Sequence, residues 1–121
     1  MKKILVVDDS ASVRQVARLA LSRAGYEIVE AKDGNDALAK LQANKINLII
    51  SDVNMAGMDG LTLAREVKQQ PKYKFMPIIM LTTESGADKK SQGKAAGVRA
   101  WIVKPFEPQS MLDAVAKLIL P

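Results

Sequence analysis

Five short apolar runs, each followed by a segment long enough for a helix, leave this chain few ways to fold. The runs are Ile4 to Val7, Ile28 and Val29 with Ala31, Leu48 to Ile50, Ile78 to Leu81, and Trp101 to Val103. They are continuous more than alternating, the pattern of strands covered on both faces in a parallel sheet. After the first run, Val13, Val16, Ala17, Ala20, Leu21 and Ala24 recur at helical spacing, and Gly25 is placed to end that helix. Ala37, Leu38 and Leu41 mark a second helix after Asp33-Gly34, and Leu61, Leu63, Ala64 and Val67 a third after Gly60. The segment from Ser85 to Gly97 reads as a weakly anchored fourth, because an interior glycine such as Gly86 or Gly93 costs roughly 0.5–1 kcal/mol relative to alanine. In the fifth, Pro108 suits the first turn, and Met111, Leu112, Val115, Ala116 and Ile119 form an apolar stripe. This alternation predicts an α/β fold with a doubly wound five-stranded parallel sheet and five helices. No linker or low-complexity tract interrupts it, so residues 1–121 are expected to form one domain.

What the chain lacks narrows its chemistry. Without cysteine there are no disulfides, thiolate catalysis or cysteine-ligated metals. Without histidine there is no imidazole base, no His-ligated zinc and no phosphohistidine. If phosphate chemistry takes place, this chain is the acceptor. The apolar run after Met1-Lys2-Lys3 ends at Asp8-Asp9, too soon for a signal peptide, and no stretch approaches the ~20 residues that span a bilayer. A cytoplasmic protein without membrane insertion is expected. The net charge is +5, and residues 86 to 104 hold Lys89, Lys90, Lys94, Arg99 and Lys104 against Asp88 alone. Such a stretch is ordinarily a solvated face or a contact for an acidic partner. No aromatic interleaving or DNA-reading motif accompanies it, so no nucleic-acid partner is expected.

The polar residues that end the runs point to a site. The first run leads into Asp8 and Asp9, the third into Asp52, the fourth into Thr82 and the fifth into Lys104. In an open parallel sheet, ligands bind outside the carboxyl ends of the strands, so these groups should share one pocket. Singly, each has an ordinary structural explanation: an Asp-Asp pair caps or turns, and a lysine before proline sits in a loop. Their joint placement is what argues for function. Three crowded carboxylates must be protonated or neutralised. Lys104 supplies one positive charge, and a hard, oxygen-preferring cation such as Mg2+ suits the rest. Such an ion offsets charge on a transferring phosphoryl group, for which an aspartate can be the nucleophile. Two near-motifs fail. Gly86 and Gly93 are too far apart for a P-loop, and a calcium loop starting at Asp52 would place Leu63 where its bidentate glutamate belongs.

The residues Val6-Val7-Asp8-Asp9-Ser10, Asp33-Gly34, Ser51-Asp52-Val53-Asn54-Met55, Met58-Asp59-Gly60, Leu81-Thr82-Thr83-Glu84 and Val103-Lys104-Pro105-Phe106 together carry a family resemblance. The whole chain resembles the receiver domains of two-component response regulators, and among them the stand-alone chemotaxis regulators. The resemblance implies a flavodoxin-like sheet of order 2-1-3-4-5 and no attached output domain. It implies Asp52 as phosphoryl acceptor, with Thr82 and Lys104 contacting the phosphoryl group. Asp8, Asp9, Asp52 and the backbone carbonyl of Asn54 are the implied Mg2+ ligands. Asn54 and Glu84 would tune hydrolysis, the Lys104–Pro105 bond would be cis, and Trp101 would be the switch aromatic, where tyrosine or phenylalanine is usual. Ala56 stands where the family usually has proline. The implied partners are a sensor histidine kinase or histidine phosphotransfer protein and a downstream protein, such as a flagellar motor switch component, bound by a monomer. A phosphorelay intermediate or phosphate sink would carry the same site. A haloacid-dehalogenase-type phosphatase also forms an aspartyl phosphate, but usually carries Asp-x-Asp on its first strand. A phosphorylation-independent interaction module would usually have lost one of the site residues.

Overall fold

The computed structural model of this chain describes residues 1–83 and 93–119. Its elements are β1 (Lys3–Val7), α1 (Ala11–Arg23), β2 (Glu27–Ala31), α2 (Gly34–Ala43), β3 (Leu48–Asp52), α3 (Gly60–Gln69), a 3-10 turn (Pro71–Tyr73), β4 (Ile78–Thr82), β5 (Ala100–Val103) and α4 (Pro108–Leu118). Residues 93–95 are helical as well, within the segment where the glycine-bearing helix is expected. Glu84, Gly86, Lys89 and Lys90 lie outside the described residues. All strand pairs are parallel and the sheet order is β2-β1-β3-β4-β5, the doubly wound α/β arrangement expected.

The apolar runs are continuous because each strand feeds two cores. Leu5, Val7, Ile49, Ile78 and Met80 point to the side covered by α2 and α3. Ile4, Val6, Leu48, Ile50, Ile79 and Leu81 point to the side covered by α1 and α4. Side chains alternate across a strand, so a strand buried on both faces must be apolar at every position. This holds along β1, β3 and β4 except at their ends, where Lys3, Ser51, Asp52 and Thr82 stand. The edge strands β2 and β5 are only partly covered, and they carry Glu27, Glu30 and exposed Val103.

Short polar residues set where the helices begin. The side chains of Ser10, Asp33 and Asp59 accept the backbone N–H of Val13, Asp36 and Thr62, which satisfies donors the first turn otherwise leaves orphaned. Gly25, at φ +97°, ends the α1 region in a conformation glycine adopts freely. Three positions depart from the expected stripes, Val16, Ala116 and Ala24, the last exposed at the C-cap of α1. Val16 is 47% exposed, because Ala17 and Leu21 hold the line facing the sheet and Val16 lies about 100° round the helix from Ala17. Ala116 is exposed for the same reason, while Ala114 and Leu118 join Met111 and Val115 against the sheet. Among the described residues, no helix is long and apolar enough to cross a membrane.

Candidate functional site

Strand register alone brings the polar residues together. Val7 pairs with Ser51, Asp52 with Leu81, and Thr82 with Val103. Asp8 follows level with Asp52, and Thr82 and Lys104 stand one and two residues further along, so the four gather at the carboxyl ends of four neighbouring strands. The ladder continues into the loops, with the Val53 N–H donating to the Leu81 carbonyl and the Lys104 N–H to the Thr82 carbonyl at 2.8 Å.

The Lys104 ammonium sits between two carboxylates, donating to Asp8 Oδ2 at 2.8 Å and lying 3.2 Å from Asp52 Oδ1. Asp8 is fully buried, and its Oδ1 accepts the Ser10 N–H at 2.9 Å. Asp52 and Thr82 are buried too, whereas Asp9 and the Asn54 side chain are exposed at the rim. One carboxylate oxygen from each of Asp8, Asp9 and Asp52 lies within 4.8 Å of the others. The Lys104–Pro105 peptide bond is cis.

These contacts leave the site short of positive charge. Burial, and then the negative charge of Asp8, push the Asp52 carboxyl above its ordinary value, although Lys104 and the Asn54 N–H act against the shift. Burial by itself would lower Lys104, but its hydrogen bond to Asp8 and the charges of Asp8 and Asp52 outweigh that and raise it. One ammonium therefore does not fully neutralise the carboxylates. A hard divalent cation fits what is present, namely an oxygen-only donor set, excess negative charge and one ligand, Asp9, open to solvent for retained waters.

The raised acid has a consequence for stability. The folded state holds the Asp52 proton more tightly than the unfolded chain, so folding stability falls as pH rises from the unfolded value through the folded one. Lys104, raised as well, changes stability with pH in the same direction but in the alkaline range: it stabilises the fold below its unfolded value and loses that contribution as pH rises through its folded value. Most point substitutions cost about 1 kcal/mol. Asp52→Asn should instead stabilise the metal-free protein at neutral pH, and the gain should shrink on acidification. Urea unfolding in chelator across a pH series checks this; equal stability at every pH would contradict it.

Two residues to which the sequence reading assigned no site role hold the site in place. Arg14 on α1 donates to the Asp8 carbonyl at 2.7 Å and pairs with Glu30 on β2 at 3.1 Å, so the loop after β1 is tied to a helix and an edge strand. Gly60, read from sequence as a helix start and as part of the family motif but given no site role, presses on β3. A Cβ added there would lie 2.1 Å from the Asp52 carbonyl oxygen. Lys104, counted in sequence with the late basic stretch, is turned into the site, while Lys94 and Arg99 remain exposed. Trp101 is half-buried against the α2 and α3 core, and a Cβ at Gly93 would come within 2.1 Å of its indole.

The family model described as the response regulator receiver domain matches residues 4–116. The chain belongs to the response regulator receiver family. It is 46% identical over 113 residues to chemotaxis protein CheY1 of Helicobacter pylori, a match covering 92% of this chain and 91% of that protein. The structure of chemotaxis protein CheY4 from Vibrio cholerae superimposes with a TM-score of 0.94 at 48% identity, over 98% of each chain. Response regulator TrrA of Thermotoga maritima, solved in complex with Mg2+-BeF, gives a TM-score of 0.87 at 36% identity, over 98% of this chain and 99% of that one. The chain is thus a signalling domain of response-regulator type, similar along nearly its entire length to chemotaxis regulators, as the sequence motifs implied.

Proposed function

We propose that the receiver formed by residues 1–121 takes a phosphoryl group onto Asp52 from a phosphohistidine of a sensor kinase or histidine phosphotransfer protein, and signals through altered protein binding in chemotaxis. The observation that carries this reading is the single Lys104 ammonium bridging Asp8 and Asp52 in a pocket that still carries excess negative charge. An Asp52 carboxylate oxygen attacks phosphorus, an O–P bond forms, the N–P bond of the donor breaks, and the departing imidazole takes up a proton from solvent. Asp8, Asp9, Asp52 and the Asn54 carbonyl would hold Mg2+, which when bound supplies positive charge to offset that of the phosphoryl oxygens. The Lys104 ammonium pairs with one such oxygen, and the Thr82 hydroxyl donates to another. The Asn54 side chain stands at the rim, where it influences access of water to the acyl phosphate; Glu84, the other tuning position, lies outside the described residues. The switch aromatic in this reading is Trp101.

The donor histidine must come within bonding distance of Asp52, so its carrier must dock around the pocket mouth. An apolar groove there is lined by Val13, Val16, Pro105 and Phe106 together with Thr83 and Lys104, and Leu19, 53% exposed, extends the apolar face along α1. That surface supports protein docking beside the acceptor. The acceptor stands on β3 and the acidic pair directly after β1, which favours a receiver over a haloacid-dehalogenase-type phosphatase. We place the protein in the cytoplasm as a monomer, with a flagellar motor switch component as its target. A phosphorelay or phosphate-sink role would use the same chemistry.

Trp101 is the only tryptophan, so its fluorescence reports on the site without labelling. Titration with Mg2+ should change the emission, and acetyl phosphate should change it further only while the metal is present, with chelator abolishing the second step. At about 100 times its dissociation constant, Mg2+ should stabilise the fold by about 2.7 kcal/mol against urea. Phosphoryl uptake undiminished by chelator would overturn the proposal.

A further inference from the structure

The end of the sheet opposite the carboxylate pocket carries a surface that phosphoryl chemistry does not use. Ile46 and Asn47 lead into β3, and Met76 and Pro77 into β4, so this surface lies a strand length, about 15 Å, from Asp52. A groove of about 780 Å³ opens there between the end of α2 and the turn after α3, lined by Gln42, Lys45, Asn47, Lys72, Phe75 and Met76 among others. Phe75 is 77% exposed at its edge. Single exposed apolar residues are ordinary. The setting of this one is not.

The loop that presents Phe75 is fastened on both sides. The Tyr73 hydroxyl, buried, donates to the Leu41 carbonyl at 3.2 Å. The Lys68 ammonium donates to the Lys74 carbonyl at 3.3 Å and also to that of Met76. The ring is therefore held outward by a braced backbone. The charge around it has one sign: residues 42–47 and 69–77 contain Lys45, Lys72 and Lys74, all exposed, and no aspartate or glutamate. The Lys74 ammonium lies 5.7 Å from the Phe75 ring centroid, close enough to give the ring a cationic flank.

We propose that this groove is a docking surface for an acidic segment of a partner protein, with an apolar side chain of that segment seated beside Phe75 and its carboxylates facing Lys45, Lys72 and Lys74. The concave shape favours a peptide over a lipid surface, which would meet the rim and leave the groove unfilled. The cations beside the groove are lysines, and Tyr73 is buried, which leaves one ring to stack on a base and disfavours nucleic acid. An aromatic anchor inside a charged rim is a common layout for protein recognition. Because the surface and the acceptor lie at opposite ends of β3, docking should be indifferent to the phosphorylation state, in contrast to binding at the pocket mouth.

The test uses isotope-labelled protein and the synthetic peptide Glu-Asp-Leu-Phe-Asp-Glu-Leu, with its glutamine and asparagine counterpart as the neutral comparison. We expect the acidic peptide to shift the amides of residues 42–47 and 72–76, to bind at least about tenfold more tightly than the neutral one, and to weaken with salt. Phe75→Ser and the double change Lys72→Gln with Lys74→Gln should each lower affinity about tenfold, while acetyl phosphate uptake by these variants stays unchanged. Adding Mg2+ with beryllofluoride should leave the affinity as it was. Equal binding of the neutral peptide, shifts confined to other residues, or tighter binding of phosphatidylglycerol vesicles or oligothymidylate than of the peptide would each overturn the proposal. None of these readouts requires Asp52 to be phosphorylated, so failure of the docking reading and failure of the phosphoryl-acceptor reading are separable.

Discussion

Replacing Asp52 with alanine should abolish phosphoryl uptake from acetyl phosphate at every Mg2+ concentration. Intact-protein mass spectrometry should find no added phosphoryl group, and Trp101 emission should respond to the donor no more than it does to buffer. The loss should be complete because the neighbouring carboxylates are poor substitutes. Asp8 is fully buried, and each of its oxygens is already engaged, one by the Ser10 N–H and the other by Lys104. Asp9 points to solvent at the rim, where water screens the charges that would stabilise a transferring phosphoryl group. The Asp52 carboxylate alone combines burial, a cation at 3.2 Å and a place between β1 and β4. Stoichiometric label on another residue of the parent protein, or normal uptake by the variant, would remove the assignment.

Gly60→Ala should be the most damaging single methyl group that can be added near the site. The added carbon would fall 2.1 Å from the Asp52 carbonyl oxygen and 3.0 Å from Val53 Cα, and backbone has nowhere to go. The Gly60 N–H also donates to the Val53 carbonyl at 2.8 Å, so moving α3 away breaks a hydrogen bond as well. Overpacking of this kind costs typically 1–3 kcal/mol and occasionally more, and we expect the upper end, about 3 kcal/mol, with the acceptor displaced. Gly34→Ala is the comparison. Its Cβ would meet Met58 Sδ, Cβ and Cγ at 2.7–2.9 Å; the sulfur can turn aside but Cβ cannot, so we expect a cost of about 1–2 kcal/mol, below that of a clash with a backbone oxygen at 2.1 Å. Urea unfolding of the two variants should separate them clearly, and Gly60→Ala should also slow uptake of acetyl phosphate. Parity between the two would show that the α3 approach to β3 is looser than its geometry indicates.

Much of this molecule was legible in its sequence. A strand covered on both faces must be apolar at successive positions, so β1, β3 and β4 announced themselves, and residues that interrupt such runs at their ends stand out. That is how Asp8, Asp9, Asp52, Thr82 and Lys104 could be named before any coordinates, and the structure brings Asp8, Asp9, Asp52 and Lys104 into one cluster. Contributions made through the main chain left no such trace. Arg14 acts on the carbonyl of Asp8 and Gly60 on the carbonyl of Asp52, and neither partner atom belongs to a side chain that a motif could single out. Val16 and Ala116 were read as core because helical spacing defines a stripe wider than the line the sheet covers. The basic surface around Phe75 was invisible for a different reason. Its lysines come from two segments separated by α3, whereas the basic run evident in sequence loses Lys104 to the site.

The bridge from Lys104 to Asp8 joins residues 96 positions apart in the chain. Contacts of such long range form only after the intervening loops have been closed, and that entropy is met late in folding. The cation beside Asp52 thus comes directly after an edge strand, β5, whose one neighbour in the sheet is β4. A partly folded chain in which β5 has not docked would hold these aspartates without their counter-charge. The charge balance of the pocket is in this way coupled to the docking of the last strand.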